Sequence, residues 1–292
     1  MPNYEQIYQK YLLHFDTQLK FAIEKFYKNA PKTLAQAMQY AVDGGGKRIR
    51  PVLCYATAEM LGLELSTVNE FAVALEMIHS YSLVHDDLPS MDNDDYRRGK
   101  LSTHKKFGEA YGILAGDALL NFAFEYCLNK SSFTEEDAKA LKILAESAGH
   151  GGMIAGQVLD LQNEHNDNPS KTVLYDIYHN KTAKLIIAPL IIASIFADCK
   201  HYETLKEYGY NLGVMFQISD DIMDVEGSVE LIGKTPNKDA IEDKLTSIKI
   251  FGIDGAKEKL KFHYETCIKL LTEMNASRFL FDFTNSMYQR KK

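Results

Sequence analysis

Apolar residues recur along this chain at three- and four-residue steps over long segments, the spacing that lines one face of an α-helix. Runs of strict alternation bounded by Asn-Gly or Asp-Gly turns are scarce. The pattern predicts an all-α protein, with helices starting near Tyr4, Leu34, Pro51, Thr67, Phe107, Glu135, Gly152, Val173, Tyr202, Lys238, Ala256 and Ser277. Some starts have a local cause. Thr67 with Glu70, and Ser132 with Glu135, have capping-box spacing, and Pro51 suits a first helical turn. The main breaks are at residues 44–46, Pro89, 163–169 and 227–236. None is a long linker, and no repeat or low-complexity tract interrupts the chain, so residues 1–292 read as one helical domain.

Composition narrows what such a protein does. The 292 residues are 46% apolar and 25% charged, which suits a folded, water-facing protein. A net charge of -7 excludes a general nucleic-acid binder, because phosphate backbones demand concentrated positive charge. A phosphorylated substrate must then meet locally placed cations. The N-terminus carries no apolar core behind a basic start, and the longest apolar run, residues 185–197, is too short to span a bilayer and holds Pro189. The four cysteines are widely spaced, with no CxxC pair. These features predict a reducing, cytoplasmic setting, without stable membrane insertion or a thiolate metal site.

Candidate chemistry sits in two acidic clusters. HDDLPSMDNDD places Asp86, Asp87, Asp92, Asp94 and Asp95 directly after the apolar run FAVALEMIHSYSLV. On a regular helix, positions six apart diverge by about 120°, so Asp86 and Asp92 would part. Pro89 interrupts the helix, and the turn it forces can bring Asp92 back toward Asp86. FQISDDIMDVEG repeats the theme, with Asp220 and Asp224 at the i, i+4 spacing of one helical face. Two carboxylates about 4 Å apart repel by about 4 kcal/mol at an effective dielectric of about 20. A cation relieves that cost, and oxygen-only ligands favour a hard ion such as Mg²⁺, which keeps positions for water and substrate phosphate. Acidic residues at a helix C-terminus also oppose the macrodipole, a local cost that points to function over solvation.

Two aspartate motifs of this form resemble those of the all-trans short-chain prenyl diphosphate synthases, in particular the bacterial farnesyl diphosphate synthase type: DDLPSMD at 86–92 and DDIMD at 220–224. The likeness extends to GGGKRIRP at 44–51, RRG at 97–99, LAGDALL at 114–120, GGMIAGQ at 151–157, KTAKL at 181–185 and GKTPNKD at 233–239. It implies a helical bundle around a central cavity, and a homodimer. It also implies that Asp86, Asp87, Asp92, Asp220, Asp221 and Asp224 hold Mg²⁺. Lys47, Arg50, His79 and Arg98 would bind the diphosphate of isopentenyl diphosphate, and Arg97, Lys181, Lys234 and Lys244 that of the allylic partner. Lys100, Lys184 and Lys238 remain ordinary surface charge. The Thr182 hydroxyl, the Lys181 carbonyl and the Gln217 side chain would steady an allylic cation, and the released diphosphate would take the final proton.

His79 lies seven residues before Asp86, two turns along the same face. Tyr81 and Ser82 lie five and four positions before Asp86, where in this family a large aromatic floors the cavity and limits the product to fifteen carbons; a geranylgeranyl or longer product is the alternative. The chain departs from the family after Lys244, where Thr246, Ser247 and Ile248 replace a common Thr-Tyr-Pro run, and at Asn237 and Lys238. Rival readings are a terpene cyclase, against which DDIMD speaks, and a di-iron protein, for which Glu76 and His79 give only a single ExxH. A non-catalytic regulatory subunit would be expected to lack one aspartate cluster or Lys47, Arg50 and Lys181, and all are present.

Overall fold

The apolar stretches fold as helices in the computed structural model, which describes residues 2–166, 168, 170–226 and 244–289. They gather into two compact units, Met1–Glu59 with Leu63–Leu141, and Met60–Gly62 with Lys142–Lys292.

In the first unit α1 (Tyr4–Asn29) opens with a capping box, in which the Asn3 side chain accepts from the Gln6 N–H and the Gln6 side chain from the Asn3 N–H, both at 2.9 Å. There follow α2 (Lys32–Val42), α3 (Ile49–Met60), a 3₁₀ turn (Leu65–Val68), α4 (Asn69–Asp86), a hairpin of β1 (Tyr96–Arg97) and β2 (Lys100–Leu101), α5 (Thr103–Phe107) and α6 (Glu109–Leu128). α4 is the core helix: eleven of its residues from Phe71 to Val84 are buried, on nearly every face, against α6, α1 and α2. The Thr67–Glu70 capping box does not form. The 3₁₀ turn occupies Thr67, and α4 starts at Asn69 without a side-chain cap. At α7 (Glu135–Ala148) the box falls two residues later than predicted. Asp137 Oδ2 accepts from the Thr134 N–H at 2.9 Å, and Thr134 Oγ1 accepts from the Asp137 N–H at 3.2 Å. Asp137 wins because Lys130 also donates to it, at 2.6 Å, in a buried setting.

In the second unit lie α8 (Met153–Gln162), α9 (Lys171–Ile177), a π-helical turn (Tyr178–Ala183), α10 (Lys184–Ile195), α11 (Tyr202–Glu226), α12 (Ser247–Glu273) and α13 (Arg278–Tyr288). The periodicity gives no start between Val173 and Tyr202, yet the π-turn divides that stretch and re-aims the chain into α10, whose residues 185–195 are all buried. The start near Ala256 belongs to α12, which begins at Ser247 and breaks at Gly252. The start near Lys238 and the break at 227–236 lie outside the described residues. Leu174, Ile177, Tyr178, Val214, Ile218, Ile222, Leu245 and Ala256 form one buried cluster that joins α9, the π-turn, α11 and α12. Among the described residues no helix is long and apolar enough to cross a membrane, and the four cysteines form no disulfide.

Candidate active site

The first unit carries the first acidic cluster. α4 ends at Asp86, and Asp87 is its C-cap. Past Pro89 the chain turns back so that the Asp92 N–H donates to the Asp86 carbonyl at 2.8 Å, the return predicted from the proline. Asp86 and Asp92 are both half-buried. Asp87 points elsewhere: it is 2% exposed and accepts at Oδ1 from Arg97 Nε at 2.8 Å and from the Arg97 terminal nitrogen. Arg97 also donates to Asp94 Oδ2 at 3.2 Å. The RRG sequence forms the hairpin turn, where Arg97 pairs with Lys100 and Arg98 takes a positive φ of 52°. A two-residue hairpin loop demands that conformation. The Arg98 guanidinium lies on the glycine loop and donates to the Gly45 carbonyl. Gly46, which the Arg98 guanidinium overlies, takes a positive φ of 107° that side chains rarely adopt, so glycine is favoured there.

Behind that loop a second set of cations gathers. Arg48, itself at positive φ, is buried and donates to Glu76 Oε1 at 2.7 Å and to the Val42 carbonyl at 2.6 Å. Tyr8 donates to the Lys47 carbonyl. Arg50 is half-buried, and its Nε has no hydrogen-bond partner among the described residues. Burial, joined by the charges of Arg50, Arg98, Arg48 and Arg97, holds His79 well below its ordinary pKa and therefore neutral. The structure thus assembles His79, Arg50 and Arg98 in one electropositive neighbourhood. Glu76 Oε1 is engaged by Arg48, while its Oε2 has no hydrogen-bond partner among the described residues. Tyr81 is buried on α4, with no hydrogen-bond partner for its hydroxyl among the described residues, and meets the His85 ring edge-on at 5.8 Å. Ser82 is half-buried and donates to the His79 carbonyl at 2.9 Å.

The second unit carries the other cluster at the end of α11. Asp220 and Asp224 are half-buried one turn apart, and Asp224 Oδ2 has no hydrogen-bond partner among the described residues. Asp221 is buried. Its Oδ2 accepts from the Tyr178 hydroxyl, from the Ser247 N–H at 2.7 Å and from Ser247 Oγ at 2.8 Å, and its Oδ1 accepts from Gln217 Nε2 at 3.3 Å. Burial raises the Asp221 carboxyl to about 7 against the pull of these donors. Thr182 Oγ1 donates to Gln217 Oε1 at 3.0 Å, and Lys181 Nζ donates to Asp160 Oδ2 at 2.6 Å. These groups line a cavity of about 100 Å³ together with Lys244 and Thr246. A Cβ at Gly156 would fall 2.1 Å from the Lys181 nitrogen, so glycine lets α8 press against the π-turn and bring Asp160 within reach of Lys181. Asp160 was missed from sequence. The available signal was an acidic residue one turn past Gly156 on an otherwise apolar helix. Lys234, Asn237 and Lys238 lie outside the described residues.

The fold is that of the all-α isoprenoid synthases. A solved geranyltransferase from Legionella pneumophila matches it with a TM-score of 0.86 at 30% identity, over 98% of this chain and 97% of that one. A Helicobacter pylori geranyltransferase complexed with magnesium and isoprenyl diphosphate matches with a TM-score of 0.78 at 30% identity, over 94% and 95%. The polyprenyl synthetase family matches residues 31–277. The farnesyl diphosphate synthase of Micrococcus luteus is 47% identical over 237 residues, 80% of this chain and 81% of that protein. The chain belongs to the polyprenyl synthetase family.

Proposed function

We propose that this chain is a farnesyl diphosphate synthase, a prenyltransferase that joins isopentenyl diphosphate to dimethylallyl or geranyl diphosphate, with residues 1–292 working as one catalytic domain in the cytoplasm. The observation that carries the reading is the end of α4, where Asp92 folds back onto Asp86 five positions beyond the buried Tyr81.

The aspartates of each unit offer the oxygen-only donors that suit magnesium, and Asp224 keeps a carboxylate oxygen that no described group satisfies. Asp86 and Asp92 are candidate ligands in the first unit, and Asp220 and Asp224 in the second; Asp87 is paired with Arg97, and Asp221 with Ser247 and Tyr178. Bound magnesium would neutralise charge on the departing allylic diphosphate and orient it. Lys47, Arg50, Arg98 and neutral His79 supply donors for isopentenyl diphosphate, whereas Lys181 and Lys244 serve the allylic partner, with Lys234 assigned by the family resemblance alone. The oxygens of Thr182, Gln217 and the Lys181 carbonyl offer dipoles to the developing cation. Proton loss to the leaving diphosphate completes the reaction without a protein base. A homodimer belongs to this reading on the family resemblance.

Incubation with Mg²⁺, isopentenyl diphosphate and either allylic starter, followed by chromatography, should give farnesyl diphosphate. A product of twenty or more carbons, or none, overturns the assignment. Tyr81→Ala should lengthen the product to twenty carbons or beyond; an unchanged fifteen-carbon product rejects Tyr81 as the floor.

A further inference from the structure

We propose that Asp221 is a positioning residue: its carboxylate turns the amide oxygen of Gln217 to Thr182 and pins the segment bearing Lys244 through Ser247, and it does not ligate a metal ion. The proposal rests on the prenyl-transfer reading only for the role of Gln217.

Four donors from three parts of the second unit converge on this one buried side chain. Tyr178 is the first residue of the π-turn that carries Lys181 and Thr182. Gln217 stands one turn before Asp221 on α11. Ser247 opens α12 three residues after Lys244 and gives both its N–H and its hydroxyl to Oδ2. The Ser247 N–H also reaches the Tyr178 oxygen at 2.8 Å, which closes the junction. Gln217 presents its N–H end to Asp221, donating from Nε2 to Oδ1 at 3.3 Å. The amide oxygen is then left for the Thr182 hydroxyl, as observed at 3.0 Å. Reversing the amide would set an N–H dipole against the cation that these oxygens are placed to steady. The anchor depends on a small hydroxyl at position 247. With both oxygens so occupied at 2% exposure, Asp221 has little left to offer an ion.

Asp221→Asn and Asp220→Asn should be compared with the unaltered protein by calorimetric titration with Mg²⁺ and inorganic pyrophosphate. Hydrogen exchange over residues 244–250 and steady-state kinetics complete the set. Asp221→Asn should leave pyrophosphate binding within about threefold, whereas Asp220→Asn, which removes a ligand itself, should weaken it by more than the roughly tenfold that loss of an outer-shell partner costs. In Asp221→Asn, exchange over 244–250 should quicken at least about tenfold, because local opening sets the rate. Its kcat should fall by about 10²-fold with the KM for isopentenyl diphosphate nearly unchanged. Equal weakening of pyrophosphate binding in both variants, or unchanged exchange in Asp221→Asn, overturns the proposal. Should Asp221→Asn fail to fold, Ser247→Ala removes one donor alone: faster exchange with intact pyrophosphate binding supports the anchor, and unchanged exchange overturns it. An unaltered protein that makes no prenyl product counts against the prenyl-transfer reading, and the exchange data still decide the anchor.

Discussion

In the proposed function Asp86 and Asp220 carry the most weight: Asp86 is the last residue of α4, Asp220 lies in the last two turns of α11, and both carboxylates are half-buried. Alanine at either should cut turnover by at least about 10²-fold, the scale for losing a major electrostatic stabiliser. Assays at saturating substrate check this, and near-normal turnover would remove that residue from the ligand set. At this scale the sequence marks the two acidic clusters but not each side chain's partner. Asp87 and Arg97 were read as a metal ligand and a substrate cation. They face each other because the hairpin turn at Arg98 carries Arg97 back to the cap of α4. Lys181 meets Asp160 across a contact that spacing along the chain cannot reveal.

Between elements, packing sets the energetics. The Arg48–Glu76 pair joins the loop before α3 to the middle of α4, and both side chains are almost wholly buried. Removing one partner strands a buried charge, so Glu76→Ala should cost about 3–5 kcal/mol in urea denaturation, and the double change Arg48→Met with Glu76→Leu should recover much of it. α12 meets α11 through His263, whose Nδ1 lies 2.8 Å from Asn211 Oδ1. Burial, with Lys259 adding to it, lowers its pKa from 6.5 to about 4. Between those values the unfolded chain binds more protons than the folded one, so stability should rise with pH across that window, by roughly 3 kcal/mol in all. It should be fully present above pH 6.5 and lost as pH falls through about 4. Denaturant melts across this range should show the slope, and His263→Gln should flatten it. Helix type was legible from the 3.6-residue period. The π-turn and the hairpin were not, because each is an irregularity too short to leave a period.

For the whole molecule, a homodimer predicts a sedimentation mass of twice the chain, and a monomer at micromolar concentration would remove that part of the proposed function. An all-helical chain, two aspartate clusters on apolar helices and the proline-driven return of Asp92 were all determined by the amino-acid sequence, because periodicity, charge and φ restriction act within a few residues. The tertiary structure alone decided which carboxylates were already engaged, which cations cluster about His79 and how Ser247 reaches Asp221. Such pairings depend on close approach and burial between segments remote along the chain, such as Asp221 and Ser247, which lie 26 positions apart, and no local pattern encodes that proximity.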